Sequence, residues 1–421
     1  MRYLARLRSG HGPRRQTVAL ITLLAIAGCT SGGGGPGQVE GLPAAAAETT
    51  RLTYYQAAAS IAMSRYQIVE DPSCTSGPGC LTDPTTGRHY RRTDQGPQAQ
   101  DPPTAAGDGY SQMDIVAHDG AFALIDVNLY VIDRTFNQFS LTPLGRIRAD
   151  AAVADGLWIH PAELARLERE GLPGMIVARG PYQIGETTYD TLSFWSEVGR
   201  GRFSYTYAVD TGLLVAANTS TAGATSPFRV ANEDPPQGNT QLTMSRLVGV
   251  RQRSLPGLDG TRPDWLATGR QLRYAGTYNW INPIDPSSGN LTYPMEHVAT
   301  VGDVGTDWAA LSTRTLVPQL ALDNTVNGIT GPTGLYWYAA TGLATMTAGQ
   351  QLDSDPVTGE RVNVTFVGGD GSGRNVVVIE SQLPGVSSRA VYDLSNGVLT
   401  AYDISQASTG TTVSLQLQEM R

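Results

Sequence analysis

Lysine is absent from the 421 residues, and all 30 basic side chains are arginine. That absence excludes a Walker-type phosphate loop, a Schiff-base lysine and a kinase lysine. Histidine is scarce. There are five, no two within five residues of one another, so HExxH and similar close pairs of imidazole ligands are missing. No G-x-S-x-G stretch occurs, which removes the nucleophile elbow of the α/β hydrolases. Positive charge is outnumbered, 30 arginines against 38 acids, for a net charge of −8; such a chain lacks the basic footprint that nucleic acid requires. The apolar run Val18 to Ala27 is ten residues long, about half of the roughly 20 needed to span a bilayer as a helix. In contrast, 48 glycines and 25 prolines bring turn residues at short, regular intervals, the spacing of a β-rich chain.

The N-terminus reads as an address. Arg2, Arg6, Arg8, Arg14 and Arg15 precede the short apolar run, which ends in Ile26-Ala27-Gly28-Cys29; basic leader, short core and small residues are the parts of a secretory signal. The last four residues resemble the lipobox of bacterial lipoproteins. The resemblance implies cleavage between Gly28 and Cys29, acylation of Cys29 (palmitate and a diacylglyceryl group), and a membrane as the partner of the mature chain. Arg14-Arg15 also fits a twin-arginine signal, although Gln16-Thr17-Val18 matches the rest of that motif poorly. Removing residues 1–28 takes five arginines and no acid, leaving a mature net charge of −13. Residues 29–50, with Thr30 to Gly37 and Ala44 to Ala47, have few side chains from which to build a core and read as a flexible tether. Thr30 stands where some lipoproteins carry the Asp that retains them at the inner membrane, so the resemblance leans to the outer one.

Cys74 and Cys80 are the two other cysteines, in a Gly- and Pro-rich loop. An exported chain is expected to bridge them as a disulfide. So small a ring contributes only about 2 kcal/mol. The spacing is not C-x-x-C and no His or Cys lies close in sequence, so no metal site is read here.

One stretch occurs twice. Phe203 to Asn218 and Ser388 to Asp403 each run through a tyrosine (Tyr207, Tyr392) into a turn closed by glycine (Gly212, Gly397) and then two aliphatics, a hairpin signature. Further matches lie upstream: Gly156-Leu-Trp-Ile-His with Gly334-Leu-Tyr-Trp-Tyr, Met113 to Ala117 with Met295 to Ala299, and Tyr66 with Tyr278. After the first match, Pro161, Glu163 and Gly171 mark a helix with His160 before it, while Gly342 and neighbouring threonines shorten the same element in the second copy. Asp83, Asp285 and Asp355 each open a D-P-x-S/T-G turn. The expected fold is mainly β (α+β): two duplicated domains, each a curved antiparallel sheet with one or two short helices. The first spans residues 51–253 with an insertion at about 74–110, a linker covers 254–264, and the second spans 265–421.

Aromatics crowd both copies, and Phe194, Trp195, Tyr205 and Trp337 are the candidates for a ligand groove, with core and cross-strand packing as the alternative. A lipid-anchored pair of curved sheets resembles the periplasmic lipoprotein-carrier and lipid-binding lipoproteins, whose half-barrels hold acyl chains. That resemblance implies a non-enzymatic binding module for a lipid or other apolar ligand in the bacterial envelope. A structural or assembly lipoprotein contacting other envelope proteins, and an envelope hydrolase, are the alternatives. The sequence singles out no catalytic residue, metal ligand or cofactor.

Overall fold

The computed structural model describes residues 42–47, 49–61, 69–70, 80–82, 89–93, 96–99, 105–119, 122–133, 138–154, 156–198, 201–222, 240–281 and 289–421. Cys29, Cys74, Tyr66 and the Gly28–Cys29 bond lie outside the described residues, so the anchor and the predicted bridge to Cys80 do too.

Strands dominate. In chain order they are β1 (Thr50–Ile61), β2 (Val69–Glu70), β3 (Cys80–Thr82), β4 (His89–Thr93), β5 (Gly96–Ala99), β6 (Ala105–Asp119), β7 (Phe122–Asp133), β8 (Gln138–Asp150), β9 (Val153–Ala154) and β10 (Trp158–Ile159). Helix α1 (Pro161–Glu170) follows, then β11 (Ile176–Ile184), β12 (Thr187–Val198), β13 (Gly201–Ala208), β14 (Leu214–Ala222) and β15 (Thr240–Gln252). The second half has β16 (Gln271–Ile281), β17 (Asn290–Val304), β18 (Ala309–Val317), β19 (Leu322–Thr330), α2 (Ala340–Leu343) and β20 (Gln351–Ser354). It ends with β21 (Arg361–Gly369), β22 (Asn375–Leu383), β23 (Val386–Asp393), β24 (Leu399–Gln406) and β25 (Thr411–Met420).

These form two large antiparallel sheets of the same topology, so the chain is a duplicated, mainly β protein. The nine-stranded sheet runs β11-β12-β13-β14-β15-β1-β6-β7-β8, and the ten-stranded one β20-β21-β22-β23-β24-β25-β16-β17-β18-β19. In each, the last strand closes back onto the first. Irregularities recur at equivalent points. A bulge falls between Thr53 and Tyr54 and between Arg273 and Tyr274, and another between Thr206 and Tyr207 and between Val391 and Tyr392.

The registers also correct the sequence matches. Tyr54 and Tyr274 are the equivalent tyrosines, facing Ser111 and His297 across the sheet. Ala299 therefore stands where Met113 does, four residues from the matched Met295. A slip of four leaves every side chain on its own face, since strand side chains alternate with period two.

α1 follows from its caps: His160 accepts from Ala162 N, Pro161 takes the first position, Glu163 sits in the first turn, and Gly171 at φ 73° stops the helix. Leu164 and Leu167 enter one core with Phe194, Leu214, Leu52, Ile125 and Ala149. β12 and β8 stand seven strands apart in order, roughly 34 Å in a flat sheet, so residues of both reach one core because the sheet curves around α1. Ala46 is fully buried in that core and Leu42 packs on it. The tether read over 29–50 therefore ends in packed chain; small side chains make a poor core alone but fill a gap in one.

Alternation along β1 and β6 sends Leu52, Tyr54 and Ile115 to this core and Arg51, Gln112 and Asp114 to the opposite face, where all three are buried. The second domain covers that face. Its Leu383 and Val386 pack with Tyr130, Pro384 O accepts from Phe139 N at 2.8 Å, and the Gln406 amide bonds both Leu141 N and Leu141 O at 3.0 and 3.1 Å.

Candidate functional site

An apolar cavity of about 170 Å³ lies inside the second domain, between its sheet and the chain that precedes α2. β16 and β17 contribute Tyr274, Met295 and His297; β24 and β25 contribute Leu399, Tyr402, Val413 and Leu415. Leu335 and Tyr336 close it. Tyr336 is held there because Leu399 N donates to its carbonyl at 3.1 Å and Trp337 bridges to Val398.

One wall carries a polar chain. His297 faces Thr315 across β17 and β18, with Nδ1 2.8 Å from Thr315 Oγ1 and Nε2 2.7 Å from the Tyr336 hydroxyl. The rings of His297 and Tyr336 lie nearly parallel, 4° apart. Burial lowers the His297 pKa to about 4, so the imidazole is neutral at neutral pH, with one donor and one acceptor nitrogen. Both nitrogens are engaged, and Tyr274 donates to Leu399 O at 3.1 Å. Burial likewise pushes the Tyr402 hydroxyl up to about 12. Polar atoms are satisfied within the wall, so the cavity is lined mainly by ring faces and aliphatic carbons.

The first domain lacks this constellation. The registers place Ser111, Leu129, Leu157 and Ala217 at the positions of His297, Thr315, Tyr336 and Tyr402. Leu214 N donates to Leu157 O at 2.8 Å, the counterpart of the bond that holds Tyr336. Instead of a cavity wall, the first copy has the longer helix, with Leu164 and Leu167 in its core.

Between the domains lies a second, polar cavity of about 210 Å³. Arg51 holds Asp114 with two hydrogen bonds, 2.6 and 2.8 Å, and reaches Asp355 and Glu360 at 3.3 and 3.1 Å. Arg251 grips Asp353 at 2.7 and 2.8 Å, and Arg253 donates to Asp114 at 2.8 Å. Burial alone would raise the Asp114 carboxyl, but Arg253 and Arg51 outweigh it and hold it well below the ordinary range. Asp353 is lowered despite burial through its bonds to Arg251. Asp355 is lowered too, by the N–H groups of Thr358 and Val357 and by Arg51 and Arg251. A general acid needs the opposite shift; these groups join domains.

Comparison with protein-family models finds no match, and comparison with curated protein sequences finds none either.

None of the four predicted groove aromatics lines either cavity. Phe194 and Tyr205 face each other across β12 and β13 and are buried in the first core, and Trp337 is buried in the second domain. Trp195 alone is exposed, at 41%, opposite Ile176 on the outer face. The structure therefore separates them: three are packing residues, and their neighbours Tyr336 and His297 form the wall. The Asp355 turn is as expected, with Oδ1 accepting from Val357 N and Thr358 N, but its second oxygen serves the arginines, which turn chemistry alone could not reveal. The alternate arginines Arg251 and Arg253 at the end of β15 were the available signal, since charge on one face of a strand needs a partner once covered.

Proposed function

We propose that this chain is a bacterial envelope lipoprotein, anchored through acylated Cys29, whose second domain binds the apolar part of a ligand. The observation that carries the binding role is the second-domain cavity, where His297, Thr315 and Tyr336 satisfy one another's polar atoms. An apolar cavity of about 150 Å³ stays dry and accepts a benzene-sized group, and each methylene buried contributes about 0.8 kcal/mol. At about 170 Å³, this cavity takes a ring or a short hydrocarbon segment rather than a whole lipid. The anchor rests on the basic leader, short apolar run and Ile26 to Cys29.

Native mass spectrometry of the full chain, expressed in a bacterium and extracted from membranes in detergent, tests both parts. The expected species lacks residues 1–28, carries acyl mass on Cys29, and retains an apolar ligand that Val413→Trp, by filling the cavity, displaces. Bare protein in both the parent and the variant would remove the binding role; an unprocessed or unacylated N-terminus would remove the anchor.

A further inference from the structure

The two cavities share one side chain. Leu335 lines the apolar cavity on one side and the interdomain cavity on the other. Its backbone is pinned, with the Tyr392 hydroxyl 3.3 and 3.2 Å from Gly334 O and Leu335 O. The residue itself is 38% exposed, so its side chain is not part of a packed core. Each cavity alone falls below the roughly 300 Å³ at which small-molecule pockets begin, and the two joined fall within that class.

Charge sets what the polar compartment accepts. The interdomain network brings three arginines, Arg51, Arg251 and Arg253, against four carboxylates, Asp114, Asp353, Asp355 and Glu360, an excess of one negative charge. The guanidinium of Arg51 is committed to three acids. Glu360, by contrast, accepts one bond at each oxygen, from Ser381 Oγ at 2.7 Å and from Arg51 at 3.1 Å; a carboxylate has about four acceptor sites, so each oxygen retains a lone pair. An added anion would face this acidic surplus, whereas a cation with N–H donors offsets it.

We infer that the two cavities form one site for an amphiphile, with a protonated amine beside Glu360 between the domains and a hydrocarbon tail past Leu335 in the second domain. The inference rests on the apolar-binding reading above and adds the chemistry of the head group.

Isothermal titration of the full chain with octylammonium, octanoate and octanol tests it. Octylammonium is expected to bind about tenfold more tightly than octanoate or better, a gap of about one pKd unit. Asn128→Lys places a cation in the polar wall without removing any member of the ion network, and is expected to reverse the order of the two charged probes. Val413→Trp is expected to weaken all three. An unchanged order in Asn128→Lys, or ammonium binding indifferent to Val413→Trp, would each overturn the two-compartment site. Octanol binding that Val413→Trp removes, with no preference between the charged probes, would sink the amine assignment alone. No octanol binding would end the apolar reading and this inference together.

Discussion

His297 is the residue whose ionisation reports on the second-domain cavity. Its pKa is about 4 in the folded chain against an ordinary 6.5, because burial disfavours the imidazolium. Between those values the unfolded chain binds more protons than the folded one, so stability rises with pH across that window and is lost as pH falls through it. The loss is on the order of 3 kcal/mol by pH 4. Asp114, Asp353 and Asp355 act in the same sense but lower: their pKa values are depressed in the folded state, so their contribution is lost only as pH drops below the ordinary carboxylate value near 3.9. The windows therefore separate. Urea midpoints at pH 7, 5.5 and 4 should fall in the parent and stay nearly level in His297→Gln. An equal fall in the variant would show that another group carries the dependence.

The duplicated hairpin is the element that shapes the cavity wall. Gly397 has φ 75°, and a Cβ there would lie 1.9 Å from Tyr338 O; Gly212 has φ 73°, with Ile159 O 2.2 Å away. Each hairpin thus presses on the segment before the helix, and in the second copy that segment carries Tyr336. Gly397→Ala should cost about 3 kcal/mol or more, combining left-handed strain with a forced backbone shift. Gly371→Ala, at φ 81° with nothing within 4 Å, should cost only the conformational part, about 1 to 2 kcal/mol. Denaturation midpoints separate the two, and equal losses would rule out the contact. The hairpin was legible in the sequence because glycine, bulge tyrosine and aliphatic pair occupy fixed offsets. The Met113 to Met295 match misled because a slip of four preserves strand alternation. Phe194 and Tyr205 misled for a related reason: alternation separates two faces of a strand, and both residues lie on the face that packs into the first core, where ring and cavity wall look alike in sequence. Which aromatics face a cavity depends on what the packing leaves unfilled. His297 and Tyr336 stand 39 positions apart, and only the crossing of the chain over the sheet brings them together.

At the scale of the whole molecule the two copies have diverged in role. The first presents its outer face as a platform for the second, and the second keeps the cavity. What couples them is the buried network around Arg51, whose side chain is 6% exposed while Asp355 is 1% exposed. Such a network is poorly screened by salt. It is also a weak source of net stability compared with apolar packing, yet removing one partner costs about 3–5 kcal/mol because the others remain buried and charged. Arg51→Ala leaves Asp114 with Arg253 and Asp355 with Arg251, but it strips Glu360 of its only cation within the network and deepens the acidic surplus. Most of that cost falls between the domains, since Arg51 and Asp114 belong to the first sheet and Asp355 and Glu360 to the turn that joins β20 and β21 in the second domain. Calorimetry of the parent should therefore show one coupled transition, and Arg51→Ala should divide it into two, with the second domain's cavity chemistry still reporting through His297. Two independent transitions in the parent would mean that the interface does not couple the copies. A single undivided transition in the variant would mean that Tyr130, Leu383, Val386 and the Gln406 bonds to Leu141 suffice to hold them together.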